Sequence, residues 1–233
     1  MPKTAETPRK IFKFLLPGLL WVGLFALRPV FFKPWCAVQP TPCTFDSVNS
    51  FDQYGFYFHS IAADFWSNVL QNSLGVILIL IPIFVIRDRT RLWKTEAYFI
   101  WATLWNGCFI ELSRTLTQRP RPMVMNSPWG SGGDINQYTS FYSGHTSFVA
   151  FATLTLALWL GAEVGKKHWA ARVRLVPYAL LVPIMAFLRV FGGRHYPTDT
   201  IAGAWAGSII ALVLWKCVGR AIMVELAGCK ATL

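Results

Sequence analysis

Eight residues between positions 114 and 199 have the types and spacing to handle a phosphoryl group. Arg114 and Arg121 stand seven apart, with Pro122 directly after; Ser143, Gly144 and His145 are consecutive; Arg189, His195 and Asp199 close the series. Arginine presents a planar fork that matches phosphate oxygens, and several such forks can neutralise the charge of a transferring phosphoryl group. Two histidines supply a nucleophile and an acid–base partner. Asp199 lies four residues after His195, which puts both on one face of a helical turn. If a helix begins at Ser143-Gly144-His145, its first amides and dipole add anion affinity, and Gly144 lets the backbone come close to a ligand.

Each of these residues also has a plain structural reading. His145 alone reads as an interfacial or capping residue, and His195 with Asp199 alone as a structural pair. Arg119 and Arg194 read equally as solvated loop charges or as additional anion donors. Glu111, one turn before Arg114, reads as an i,i+3 ion pair rather than a catalytic carboxylate. Gly203 and Gly207 read as close helix packing. His59 and His168 have no partner in sequence and receive no role.

The elements that must position these residues are apolar. Of the 233 residues, 54% are hydrophobic and 14% charged, and mean hydropathy is +0.42. Soluble domains carry about 25% charged residues, so an ordinary soluble domain is not expected here, and a disordered chain is excluded. Six apolar segments stand out, roughly Ile11–Leu27, Ser67–Ile86, Ala97–Leu112, His145–Ala162, Val176–Phe191 and Thr200–Val218. Each is close to the ~20 residues that cross a bilayer as a helix. The expectation is an all-α, integral-membrane bundle of six transmembrane helices, formed by residues 1–233 as a single domain.

A net charge of +11 would suggest nucleic acid in a soluble chain. Here the basic residues sit between apolar runs, so no nucleic-acid partner is expected. Fifteen of the 22 Lys and Arg residues fall at the N-terminus, the second and fourth connections and the C-terminal end. By the positive-inside rule both termini are cytoplasmic, and the odd connections face outward. Arg114, Arg119, Arg121, Arg189 and Arg194 then lie outside, against the trend, which calls for a functional reason. The first segment, continuing as Leu27-Arg28-Pro29 without a small-residue cleavage site, is expected to be a retained span. Cys36 and Cys43 share the first outer loop; a disulfide and two free thiols are both open readings. The eleven Trp residues fit an interfacial belt and bundle packing.

Arg114-x6-Arg121-Pro122, Ser143-Gly144-His145 and Arg189-x5-His195-x3-Asp199 resemble, in order, the three motifs of the type-2 phosphatidic acid phosphatase superfamily. The motifs cover residues 114–199, and the six-segment pattern extends the resemblance to most of the chain. It is the integral-membrane lipid phosphatases that the chain resembles. Three positions depart from the family pattern: Arg114 stands where Lys is usual, Tyr142 where Pro precedes Ser-Gly-His, and Leu188 where Ser precedes the third motif's Arg.

The resemblance implies a metal-independent phosphatase that hydrolyses a phosphomonoester or diphosphate head group of a phospholipid, polyprenyl diphosphate or lipid A type. His195 would form a phosphohistidine, Asp199 would bond its other ring nitrogen, and His145 would protonate the leaving group. Arg114, Arg121 and Arg189 would hold the phosphoryl oxygens, with Ser143 and Gly144 helping. No cofactor is implied. The partners are a lipid phosphate and the bilayer, and the setting would be a bacterial inner membrane with the site facing the periplasm. A lipid phosphotransferase using the same phosphoenzyme is the alternative within this chemistry. An anion transporter is the alternative from another class.

Overall fold

In a computed structural model, described here for residues 6–33, 48–125, 134–164 and 169–222, the chain is helical and the described residues include no strand. The helices are α1 (Glu6–Leu27), α2 (Ile61–Val85), α3 (Arg89–Thr117), α4 (Pro122–Met125), α5 (Gly144–Glu163), α6 (Trp169–Val173), α7 (Val176–Phe191) and α8 (Pro197–Leu214). A π-helical turn, Trp215–Gly219, carries α8 onward. Three helical stretches, Ile61–Val85, Gly144–Glu163 and Pro197–Ile222, are long and apolar enough to cross a membrane. Phe14–Leu27 and Val176–Phe191 are shorter apolar helices. Cys36 and Cys43 lie outside the described residues; Cys108 and Cys217 are free thiols.

Helix α5 is the centre of the bundle, packed against α8, α7, α2 and α3, while α1 lies on α3. Its sequence explains this position. Gly144, Ala150, Ala152 and Ala157 are small and fully or nearly fully buried, so neighbouring helices can approach closely. The buried positions of α7 are Val182, Met185 and Arg189, a stripe at helical spacing that points Arg189 into the bundle. Large apolar side chains such as Phe84, Trp205 and Phe187 remain exposed on the outside of the helices, as a lipid-facing surface requires.

Gly203 and Gly207 do pack against a neighbouring helix. A Cβ at Gly203 would meet the Ser143 carbonyl oxygen at 2.5 Å, and one at Gly207 would meet the Ser147 carbonyl oxygen at 2.1 Å. Both obstacles are backbone and cannot swing away, so α8 and α5 would have to separate. Gly207→Ala is expected to cost at least about 1–3 kcal/mol. The readout is a lower thermal midpoint in detergent. Gly23→Ala, where an added Cβ meets nothing within 4 Å, should leave the midpoint unchanged or slightly raised.

Three segments meet at one end of the bundle through backbone hydrogen bonds. Helix α3 ends at Gln118, whose φ of +46° is left-handed, and the chain turns into Arg119-Pro120-Arg121. This stretch runs beside residues 137–140, with Arg121 N–H donating to the Gln137 carbonyl at 2.7 Å and Ser140 N–H to the Arg119 carbonyl at 3.0 Å. Ser143 N–H donates to the Asp199 carbonyl at 3.0 Å, which ties the start of α5 to the start of α8. After α7 the chain reverses at Gly193, φ +67°, where a Cβ would lie 2.6 Å from the Phe58 carbonyl oxygen. The N–H groups of Arg194 and His195 then fold back onto the Arg189 carbonyl at 3.1 and 3.3 Å. All three sequence motifs are thereby delivered to the same end.

Candidate active site

His195 is fully buried at the entry to α8. Its Nδ1 lies 2.7 Å from the Ser140 carbonyl oxygen, an acceptor only, so Nδ1 carries the proton and Nε2 the lone pair. Nε2 has no hydrogen-bond partner among the described residues. Burial holds the imidazole well below its ordinary pKa, and the charges of Arg189, Arg121 and Arg114 lower it further. The ring is therefore neutral and unprotonated at Nε2 at physiological pH.

Asp199 sits 3.8 Å from His195 Nδ1, close enough to act as a charge but beyond hydrogen-bond distance. The direct partner that sets the tautomer is the Ser140 carbonyl. Asp199 Oδ2 instead accepts from the Ser140 hydroxyl and from the Tyr196 N–H at 3.0 Å. Its Oδ1 accepts from Arg119 at 2.6 Å. Arg119 also donates to Asp52 Oδ2 at 2.7 Å and Thr198 Oγ1 at 3.0 Å, and lies over the Tyr196 ring. Burial opposes the charge of Arg119, but the carboxylates of Asp199 and Asp52 outweigh it and its pKa is raised.

The three motif arginines share one property. The Nε of Arg114, of Arg121 and of Arg189 is sealed from solvent and has no hydrogen-bond partner among the described residues, a feature they have in common with Arg28 and Arg91. Arg114 donates to Glu111 at 2.8 Å, the i,i+3 pair expected from sequence. Glu111 also pairs with Arg28 from the end of α1. Arg189 donates to Asp64 Oδ1 and to Ser67 Oγ, both at 2.8 Å, and Arg194 donates to Asp64 Oδ2 at 2.8 Å. Among the described residues Arg121 makes one side-chain bond, to Thr139 Oγ1 at 3.1 Å. Burial lowers its pKa strongly, and the nearby cations Arg189, Arg114 and Arg194 add to this. An unpartnered guanidinium N–H is costly inside a protein unless an anion takes it.

His145, in the first turn of α5, places Nε2 2.7 Å from Asn68 Oδ1 on α2. It lines a cavity of about 340 Å³ together with Arg114, Gly144, Glu111 and Gln71. Gly144 serves a close approach, but to a side chain: a Cβ there would sit 2.6 Å from an Arg114 terminal nitrogen. Ser143 caps α5, its hydroxyl 3.4 Å from the Thr146 N–H and 3.0 Å from Thr146 Oγ1, so that hydroxyl is already engaged with the helix it starts. A second, apolar groove of about 680 Å³ runs between α3 and α8, lined by Trp105, Phe109, Leu116, Tyr142 and Val213. None of its lining residues is charged.

Several residues at the site carry no sequence signal of their own. Asp52, Asp64, Asn68 and Ser140 stand outside the motifs, and their partners are as many as 146 positions away. The chemistry of Arg119 is visible in sequence only as a third basic residue near Arg121.

The sequence matches the PAP2 superfamily over residues 95–223. Among individual proteins it is 28% identical over 145 residues to phospholipid phosphatase 2 of Bos taurus, covering 52% of this chain and 49% of that protein. It is 27% identical over 176 residues to the probable diacylglycerol pyrophosphate phosphatase 1 of Schizosaccharomyces pombe, covering 61% of this chain and 62% of that protein. With human phospholipid phosphatase 2 it shares 34% identity over 89 residues, 35% of this chain and 30% of that protein. The chain thus spans about half to three-fifths of the length of the first two relatives. No solved structure matches it. The matched stretch is more than half of the chain, contains all three motifs and includes most of α3 and all of α5, α7 and α8, the helices that carry them, and on that ground the chain belongs to the PAP2 superfamily.

Proposed function

We propose that this protein is a membrane lipid phosphatase that works through a phosphohistidine at residue 195. The observation that carries the proposal is a buried imidazole whose Nε2 has no partner among the described residues, close to the charges of three arginines whose Nε donors have none there either. That is a nucleophile beside an anion hole. The family membership and the phosphatase names of the relatives support the same chemistry.

In the proposed reaction the phosphoryl oxygens take the free donors of Arg114, Arg121 and Arg189. His195 Nε2 attacks phosphorus, the bond from phosphorus to the lipid oxygen breaks, and His145, which takes up a proton when the phosphate anion binds and offsets the arginine charges, gives that proton to the lipid oxygen. As Nε2 bonds to phosphorus the imidazole becomes positive, and Asp199 stabilises it across 3.8 Å. His145, now neutral, takes a proton from water as the water's oxygen attacks phosphorus. The N–P bond breaks, inorganic phosphate leaves, and His195 is restored. Asn68, fixed on His145 Nε2, orients the acid. The arginines supply the positive charge that metal ions supply in other phosphoryl-transfer sites.

The bundle we propose has six crossings, with both termini on the basic, cytoplasmic side and the site at the opposite surface. The head group then sits at the interface while the tails stay in the bilayer. The relatives named above are eukaryotic, and the proposal concerns this orientation rather than a bacterial inner membrane.

The test is phosphate release by the detergent-purified protein with EDTA present, from phosphatidic acid, diacylglycerol diphosphate, a polyprenyl diphosphate and a lipid A phosphate. The expected result is release from at least one of them, with a transient acid-labile phosphate label on the protein. Transfer of the label to a second lipid would instead identify a phosphotransferase. Anion flux through liposomes without turnover would overturn the enzyme reading.

A further inference from the structure

We infer that Arg119, clamped by Asp52, is a positioning residue that holds Asp199 as an ionised carboxylate beside His195 and does not bind the phosphoryl group itself. This rests on the phosphohistidine reading above. The motif arginines have unpartnered donors, whereas both terminal nitrogens of Arg119 are already taken. One meets Asp199 at 2.6 Å and Thr198 at 3.0 Å; the other meets Asp52 at 2.7 Å. Its guanidinium face lies 4.1 Å over the Tyr196 ring, which closes that side to a ligand.

Of the partners of Arg119, Asp199 is the one that reaches His195, at 3.8 Å from Nδ1. Asp52 and Asp199 are both fully buried, and Arg119 is the cation they share. Asp52 is itself held by Asn49 at 2.8 Å and by the Thr198 N–H at 2.9 Å, so the outer turn of residues 52–57 braces the clamp from outside the bundle. The backbone of Arg119 serves as well: its carbonyl accepts from Ser140 N–H at 3.0 Å, and the carbonyl of Ser140 accepts from His195 Nδ1. One residue therefore fixes both groups that face Nδ1.

A buried carboxylate without a cation takes up a proton rather than staying charged. Without Arg119, Asp199 would lose the charge that stabilises the imidazolium as Nε2 bonds to phosphorus. Lysine would restore a charge but cannot fork between two carboxylates.

Orthovanadate and inorganic phosphate separate positioning from phosphate binding. Both meet the arginines, but only vanadate mimics the five-coordinate state bonded to Nε2. Binding of each would be followed by thermal shift in wild type, Arg119→Met, Arg119→Lys, Asp52→Asn and His195→Ala, beside kcat and KM. The Arg119→Met protein should keep its phosphate affinity and lose about 10–100-fold in vanadate preference and in kcat, the usual weight of an outer partner of a functional imidazole. KM should be unchanged. Arg119→Lys should fall between it and wild type, and Asp52→Asn should move in the same direction by less.

Equal weakening of phosphate and vanadate, or a raised KM with kcat intact, would show that Arg119 touches the phosphoryl group and would overturn the inference. So would an unchanged vanadate preference. If Arg119→Met does not fold, unchanged kcat and vanadate preference in both Arg119→Lys and Asp52→Asn overturn it. A wild-type protein that releases no phosphate, and prefers vanadate no more than His195→Ala does, would overturn the phosphatase reading itself and the inference with it.

Discussion

His195→Ala is expected to abolish turnover, lowering kcat by about 10⁴-fold or more while inorganic phosphate still binds. Removal of a covalent nucleophile leaves only the catalysis that charge stabilisation and binding provide. The arginines that provide these do not hydrogen-bond to the imidazole, so the anion site should outlive the ring. The acid-labile phosphate label should vanish with turnover. A variant that still hydrolyses lipid phosphate at more than about 1% of the wild-type rate would remove His195 from the mechanism. The same substitution has a second signature, in stability. The folded imidazole has a lowered pKa, so between its ordinary value near 6.5 and the lower folded value the unfolded chain binds more protons. Its neutral form therefore contributes stability above pH 6.5 that is lost as pH falls below it. His195→Ala should flatten the decline of the thermal midpoint below pH 6.5.

The helices were legible because burial in a bilayer leaves long apolar runs. The segment Val176–Phe191 coincides with α7, and the His145–Ala162 segment with α5 to within one residue at each end. The others run longer than their apolar cores. Ala97–Leu112 grew to Arg89–Thr117 because helical hydrogen bonding continues through Arg89, Arg91 and Lys94 at one end and Arg114 at the other, where hydropathy falls. Such ends are set by capping, as by Asp88 on the Arg91 N–H at 2.7 Å, and a composition window does not register a cap. The motif residues were legible for a different reason: their types are tied to the chemistry at short spacing. His195 and Asp199 lie four apart and meet at 3.8 Å.

What the motifs do not carry is the identity of their partners. Asp199 turned out to face Arg119 and Ser140 more closely than it faces His195. Asp64, in the first turn of α2, bridges Arg189 and Arg194 only because Ser60 N–H bonds to the Phe191 carbonyl at 3.0 Å and sets α2 beside the end of α7. The family resemblance implies a phosphate donor at Ser143, whereas its hydroxyl caps α5. Each of these depends on which helix end lies beside which, a property of the packed bundle that no local spacing encodes.

Arg121→Met is expected to separate activity from stability, in opposite directions. Among the described residues Arg121 has one side-chain partner, Thr139, and its Nε, sealed from solvent, has none. Burial and the charges of Arg189, Arg114 and Arg194 all work against its cation, which is why its pKa falls so far. This guanidinium is held at a cost that the Asp64 carboxylate offsets only in part, and a bound phosphoryl anion would offset more of it. Methionine keeps much of the aliphatic length and removes the like-charge repulsion. The ligand-free variant should therefore melt no lower than wild type and should gain less stabilisation from added phosphate or vanadate. Its kcat/KM should fall by about 10²–10³-fold, the loss typical of one preorganised charge donor. The paired measurement is a thermal midpoint in detergent with and without anion, beside initial rates. A ligand-free midpoint several degrees below wild type would mean that Arg121 stabilises the fold through Thr139. Unchanged rates would mean that the phosphoryl group lies elsewhere, and would leave the three Nε donors without a common ligand.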